Sequence, residues 1–363
     1  MKVVIIGAGA AGLGIGWRVA QQGADVTVLE RAQPARAATW AAGGMIAPVG
    51  EGVEGVQAEF GRKSSALWPG FAAELEAQSG IEIDYRRNGA LFVAPDEASA
   101  HALGERAVSE EGLELLNAPQ AREMEPMLTP VISGAAFASD EAQVDNRAMG
   151  RALAQAFQRA GGKLLRNEPA VRFEITEGKA FAVRSPFKLY SADAFLIAAG
   201  AWSGQFEDLP ANLLPPITPV KGEMIALSAP ENARMPEHVI WGNEVYMVPH
   251  YRRLFVGATV SQAGFDTSVT DNAEHWLRAR AITLLPGLEA WPLDEHWAGL
   301  RPGSPDDLPI LGPTQQVENL FLATGQYRNG ILFTPAIADV MAQTILDGKL
   351  PPECAAFDVR RFA

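Results

Sequence analysis

A chain of 363 residues, 48% hydrophobic and 20% charged, is long enough for two domains around a sizeable core. Its net charge of −13 argues against nucleic acid and anionic membrane as partners, because both select basic surfaces. A single cysteine, Cys354 in a polar C-terminal tail, excludes an internal disulfide framework, and five scattered histidines without an H-x-x-x-H pair give metal catalysis no support.

The first thirty residues are the most specific stretch. Lys2 to Ile6 is a β-branched run that predicts a buried parallel strand. Gly7-Ala8-Gly9-Ala10-Ala11-Gly12 follows at once, Leu13 to Gln22 predicts a helix, and Ala24 to Leu29 predicts a second strand closed by Glu30. Each residue type has a mechanical reason in a dinucleotide site. Gly7 permits the tight turn, Gly9 lets backbone approach a pyrophosphate, and Gly12 lets helix and strand pack closely. The helix N-terminus offers free N–H groups to phosphate, and Glu30 is placed to accept from ribose hydroxyls. Glycines interrupt the N-terminal apolar run, so it reads as a strand and not as an export signal. No apolar run reaches about eighteen residues, so no membrane span is expected and the protein is read as cytoplasmic.

Downstream, Asp145 is placed to cap a helix over 146–160 with Ala148, Met149, Leu153 and Phe157 on its apolar stripe, stopping at Gly161-Gly162. Ala170 to Thr176 and Ala194 to Ala198 read as strands, the latter running into Gly200. Leu91 to Ala94 and Gly222 to Ala229 predict antiparallel strands, and Glu244 to Val260 predicts a hairpin turning at Tyr251-Arg252-Arg253. Leu320 to Gly325 is strand then turn, and Pro335 to Leu346 is a helix for which Thr334 serves as N-cap. One nucleotide-binding domain in three separated segments is expected, with a mixed or antiparallel sheet inserted between them.

The fingerprint serves nicotinamide and flavin dinucleotides alike. It occurs once, and its domain is visited three times along the chain, which favours an extended flavin cofactor. Further along, Ala38-Thr39-Trp40-Ala41-Ala42-Gly43-Gly44-Met45-Ile46-Ala47-Pro48 resembles the pyrophosphate and ribityl loop of the D-amino acid oxidase superfamily. Ala198 to Ser203, Pro219 to Met224, Trp297 to Asp306 and Gly325 to Leu332 add ordered matches, and together these resemble the glycine oxidase branch, associated with thiamine biosynthesis, over nearly the whole chain. The resemblance implies an α/β architecture: a Rossmann-like, glutathione-reductase-type FAD-binding domain from residues 1–84, 139–206 and 296–363, and a substrate domain from 85–138 and 207–295. It implies FAD held through Gly7, Ala8, Gly9, Ala10, Ala11, Gly12, Glu30, Arg31, Ala38, Thr39, Gly43, Gly44, Met45, Val171, Ala199, Gly200 and Trp202. It adds Arg301, Tyr327, Arg328, Asn329, Gly330, Ile331 and Leu332 from the C-terminal segments. No cysteine lies near the carboxylate-binding segment, so the flavin is expected to be non-covalent.

Arg301 and Arg328 stand out before any family is considered. Each lies among glycines and apolar residues, where a guanidinium is expensive to desolvate without an anion. That anion is either a substrate carboxylate, which the planar fork binds bidentately, or a structural acid such as Asp306 or Asp307. The resemblance assigns both arginines to the active site, with Arg301 on the substrate carboxylate. It adds the Tyr246 hydroxyl to that carboxylate and makes Val260, in a strand paired with that of Tyr246, an apolar pocket wall. None of these is a strong general base, which suits hydride transfer from a substrate Cα to flavin. The implied activity is oxidative deamination of a small amine or amino acid (glycine, sarcosine, a small D-amino acid) with dioxygen as co-substrate, in a homotetramer. A dehydrogenase of the same fold with another electron acceptor is the enzymatic alternative. A non-catalytic nucleotide sensor would leave the two arginines without a role.

Overall fold

The computed structural model describes residues 1–51, 54–206, 208–210 and 212–362. Residues 207 and 363, where two of the expected domain segments begin and end, lie outside them, as do 52 and 53.

The strand Lys2–Ile6 sits inside a six-stranded sheet, with Asp25–Glu30 and then Lys163–Arg166 on one side and Ala194–Ile197, Leu320–Thr324 and Ile310–Pro313 on the other. All the pairings are parallel except the last, so the sheet is parallel with an antiparallel edge. Val3, Ile5, Val26, Val28 and Leu196 are buried on one face beneath the helices Ala10–Gln21, Asn146–Arg159 and Thr334–Asp347. The opposite face packs on a three-stranded sheet made from Arg172–Thr176, Lys179–Arg184 and Leu189–Ser191. Asp145 caps its helix as expected, its carboxylate accepting from the N–H groups of Arg147 (2.9 Å) and Ala148 (2.8 Å). Thr334 does not cap. It lies within the last helix, its hydroxyl donating to the Gly330 carbonyl at 2.8 Å, while Phe333 holds the cap position and Pro335 the first turn. The hydroxyl finds a carbonyl one turn back, and so the helix begins one residue early.

The second body is an eight-stranded mixed sheet, in the order Leu293–Gly303, Thr218–Ser228, Arg253–Gly257, Tyr246–His250, Val239–Trp241, Ala90–Ala94, Gly134–Ala138, Leu113–Leu116. The expected hairpin is present, with Tyr246 opposite Gly257 and a turn at Tyr251, whose φ is 51°. Leu293–Gly303 crosses the expected boundary at 296 and pairs with Thr218–Ser228 as far as Gly303, so this sheet extends further along the chain than the resemblance implies. Cys354 is not in a polar tail. The segment Pro352–Phe357 folds back onto the core, Phe357 meets Phe60 with ring centroids 4.9 Å apart, and the thiol is fully buried, its pKa pushed up to about 11 by that burial.

Candidate active site

The turn after the first strand is built for close approach. Gly7 has φ 104°, and a Cβ there or on Gly12 would collide with backbone, at Gly12 with the Gly7 carbonyl itself. A Cβ on Gly9 would meet only the Thr39 hydroxyl oxygen at 3.5 Å, so Gly9 is small for the sake of what lies above it. Glu30 accepts from the N–H groups of Ala8 and Ala32, both at 2.9 Å, which ties the acid at the second strand's end to the turn. The segment 38–44 is gripped from several sides. Asn146 donates to the Thr39 carbonyl at 2.7 Å, Trp297 to that of Ala41 at 3.0 Å, and the His250 ring lies 2.9 Å from that of Gly43. Burial holds His250 below the usual imidazole pKa, which favours the neutral ring.

A cavity of about 460 Å³ runs from this turn to the eight-stranded sheet. Of the residues the sequence singles out, all but Gly12 and Val171 line it. Gly12 is covered by helix–strand packing, and its role there is steric. Val171 is half exposed and gives its N–H to the Arg184 carbonyl, while its neighbours Pro169 and Ala170 face the cavity. At the fingerprint end Arg31 lies over the Trp202 ring at 3.5 Å, where burial lowers its pKa.

At the other end stand Tyr246, Arg301 and Arg328. Arg301 lies across Gly222 of the neighbouring strand, where a Cβ would strike its guanidinium, and Nη1 donates to the Thr259 carbonyl at 3.3 Å. Tyr246 lies across Gly257 in the same manner, a Cβ there falling 2.6 Å from its ring and hydroxyl. Its hydroxyl is 3.7 Å from the Met224 sulfur, and burial raises its pKa above that of a free phenol. Arg328 stacks on Tyr327 (5.1 Å) and reaches that hydroxyl at 3.4 Å. Among the described residues neither arginine has a carboxylate within ion-pair distance. Asp306, one of the acids considered for Arg301, pairs with Arg361 at 2.7 Å. The site therefore holds two cations at the cavity wall, Arg301 half-buried and Arg328 exposed, with room for an anion.

Val260 lines the cavity as expected, but not from a strand. Its strand ends at Gly257, and Val260 follows in a loop that bridges back through Ser261 to Lys221, leaving its side chain half exposed at the cavity wall. Sequence reasoning missed Glu51, Gly222, Met224, Trp241 and Gln326, which also line the cavity. Gly222, Met224 and Gln326 fall inside the matching stretches Pro219 to Met224 and Gly325 to Leu332 without having been singled out there, whereas Glu51 and Trp241 carry no motif and only the tertiary fold brings them to the cavity.

The buried Gln326 Nε2 and Asn329 Oδ1 have no hydrogen-bond partner among the described residues, and both side chains line the cavity. Together with the glycine turn, the helix N-terminus and Glu30, they fit an extended dinucleotide carrying a polar ring system. Fold and site thus define a dinucleotide-dependent oxidoreductase. The chain belongs to the FAD dependent oxidoreductase family, which it matches over residues 2–344, and FAD is its cofactor. It is 34% identical to a bifunctional ThiO/ThiG protein of a Nostoc species over 99% of this chain, and spans about 55% of that longer protein. It is 30% identical to a glycine oxidase of Pseudomonas aeruginosa, with 96% of each chain covered. Its fold superposes on the crystal structure of glycine oxidase from Geobacillus kaustophilus with a TM-score of 0.93 at 29% identity, covering 99% of this chain and 98% of that one. Among the described residues, no helix is long and apolar enough to cross a membrane.

Proposed function

We propose that this protein oxidises the carbon–nitrogen bond of a small amine or amino acid, with glycine, sarcosine and small D-amino acids as the substrate class. The observation that carries the reading is the pair of guanidiniums, Arg301 and Arg328, without a carboxylate at ion-pair distance among the described residues, facing Tyr246 in the cavity that also contains the dinucleotide fingerprint. Arg301 binds the substrate carboxylate through its fork, and Arg328 and the Tyr246 hydroxyl complete the cradle. This fixes the Cα–H bond in direction, which is the main contribution a protein makes to hydride chemistry. FAD, when bound, supplies the hydride acceptor and passes the electron pair to dioxygen, giving hydrogen peroxide. The imine product is hydrolysed to a 2-oxo acid and ammonia. Gly7, Gly9, the N-terminus of Ala10–Gln21 and Glu30 would hold the dinucleotide phosphates and ribose, and segment 38–45 its middle. We assign residues 1–84, 139–206 and the chain beyond 303 to FAD binding, and the eight-stranded sheet to substrate. The flavin is non-covalent, since Cys354 is buried away from the cavity.

Trp241, Tyr246 and Val260 wall the substrate end and set its size. Glycine and sarcosine are therefore expected to reduce the flavin faster than D-phenylalanine does. Anaerobic mixing of the yellow holoprotein with each amine tests this. Bleaching by glycine followed by recovery on admitting dioxygen supports an oxidase. Bleaching without recovery on that timescale supports a dehydrogenase with another acceptor, and no bleaching by any small amine rejects the reading.

A further inference from the structure

Hydride loss from Cα leaves a carbon–nitrogen double bond only if nitrogen has a lone pair to give, and an amino acid enters at neutral pH as an ammonium. The proposed site so far has cations and a phenol but no acceptor for that proton. Resting on the amine-oxidation reading of the cavity, we propose that Glu51 is this acceptor: it receives the ammonium proton of the bound substrate within the cavity that holds Arg301 and Arg328.

Elimination among the groups that face the cavity supports the choice. Arg31, Arg301 and Arg328 have no basic lone pair to offer. The two carboxylate oxygens of Glu30 are taken by the Ala8 and Ala32 N–H groups at the fingerprint end. Glu244 pairs with Arg280 at 2.8 Å. Tyr246 is half-buried and its hydroxyl holds its own proton more tightly than a free phenol does, and the Tyr327 hydroxyl accepts from Arg328 at 3.4 Å. Glu51 lines the cavity, interacts electrostatically with Arg328 and Arg301, and makes no hydrogen bond to another described residue.

The backbone that carries Glu51 is fixed. The buried Glu141 carboxylate accepts from the N–H groups of Val49 (2.8 Å) and Gly50 (2.9 Å), Arg106 donates to the Val49 carbonyl, and Gly50 lies so close to the Trp241 ring that a Cβ would stand 2.9 Å from it. That rigidity places a carboxylate on the wall of the arginine cluster. With substrate carboxylate and Glu51 ionised against two guanidiniums, the site is neutral once the ammonium proton has left it, and carries one net positive charge before. Transfer to Glu51 leaves that charge unchanged, and passage of the proton on to water removes it, so the charge balance favours release from the site after the transfer. In the step itself an N–H bond breaks, its electron pair stays on nitrogen as the lone pair, and an O–H bond forms on Glu51. Glu51 is only partly covered, so its proton can then pass to water. Burial raises its proton affinity above that of an ordinary carboxylate, while the two arginines limit the rise.

The groups facing Glu51 are Arg301, Arg328 and Tyr246 across the cavity and Glu141 behind its segment. Of these the arginines do not titrate in the working range and Tyr246 does so only at high pH, whereas Glu141, its pKa pushed up to about 8, titrates within it in parent and variant alike, so the assignment rests on the difference between the two profiles. Anaerobic stopped-flow reduction of the flavin by glycine, measured against pH in the parent holoenzyme and in Glu51→Gln, tests the assignment. The variant is expected to reduce roughly 10²-fold more slowly near neutral pH and to approach the parent as free glycine loses its own ammonium proton at high pH. Glu51→Asp should fall between the two. Acetate, a carboxylate without an amine, should still perturb the variant's flavin spectrum and bind at least as tightly, because one negative charge has gone. A variant with the parent's pH profile would sink the proposal. So would one that loses acetate binding and reduction together at every pH, since Glu51 would then be structural. If no small amine reduces the parent's flavin at any pH, the amine-oxidation reading fails instead.

Discussion

Arg301 reaches its position because Gly222 across the sheet has no side chain, so a guanidinium can lie flat where a methyl group would block it. It donates to the Thr259 carbonyl at 3.3 Å and meets the Tyr246 hydroxyl, both neutral groups and poor substitutes for an anion. Arg301→Ala is therefore expected to lose about 3–5 kcal/mol of transition-state stabilisation, two to four orders of magnitude in kcat/KM. Flavin content and Tm should barely move, and Arg301→Lys should recover only part of the loss. Steady-state kinetics beside a thermal melt decides the matter: a variant that unfolds but turns over normally when intact would make Arg301 structural. Glu141 gives a pH prediction. Burial pushes its pKa from the ordinary 4.5 up to about 8, against the pull of the Gly50 and Val49 N–H groups. A folded-state pKa above the unfolded one means that the stability it contributes is complete below about pH 4.5 and is lost as the pH rises through about 8. Glu141→Gln keeps an acceptor for both N–H groups and cannot ionise. Between pH 5 and 9, melting curves should show the parent's Tm falling more than the variant's, and parallel curves would refute the assignment.

The turn from first strand to first helix separates two kinds of glycine. Gly12 is small because the Gly7 carbonyl occupies the place of its Cβ, so Gly12→Ala forces helix and strand apart and should give little folded protein. Gly9 has open space, its nearest neighbour Thr39 Oγ1 lying at 3.5 Å. Gly9→Val is expected to fold with near-parental circular dichroism and yet to purify colourless, because the branched side chain fills the pyrophosphate's place. If Gly9→Val retained flavin, the phosphates would have to lie elsewhere. The hairpin Tyr246–His250 to Arg253–Gly257 follows the same logic, since the Tyr246 ring uses the space above Gly257.

The cavity joins the two sheets: its walls come from the fingerprint turn, segment 38–51, the strands around Gly222 and Tyr246, and the C-terminal stretch 323–337. A ligand spanning it binds only the assembled chain, so FAD should stabilise the fold as a whole. Acid-stripped protein is expected to melt at lower temperature than the holoprotein. Adding FAD to 100 times its Kd should restore about 2.7 kcal/mol, with Tm continuing to rise as FAD is increased further. A Tm independent of FAD would mean that the cavity is not its site.

Local chemistry made much of this legible in the sequence. The β-branched run, the glycine turn, Glu30 and the Asp145-capped helix need only near neighbours to specify them, so spacing and residue type suffice. The arginines were legible too, because a guanidinium among glycines and apolar residues requires an anion. Partners across the sheets were not. That Gly222 clears Arg301, that Gly257 clears Tyr246 and that Leu293–Gly303 continues the substrate sheet past 296 depend on register between strands far apart in sequence. Val260 left its strand because the chain after Gly257 turns to pair with Lys221, and Cys354 was buried because Phe357 carries its segment into the core. Glu51 lies in an unremarkable stretch, and only the tertiary fold, through Glu141, sets it against the two arginines. Backbone geometry and periodicity are written residue by residue, whereas electrostatic neighbours are chosen by packing over distances that no local pattern records.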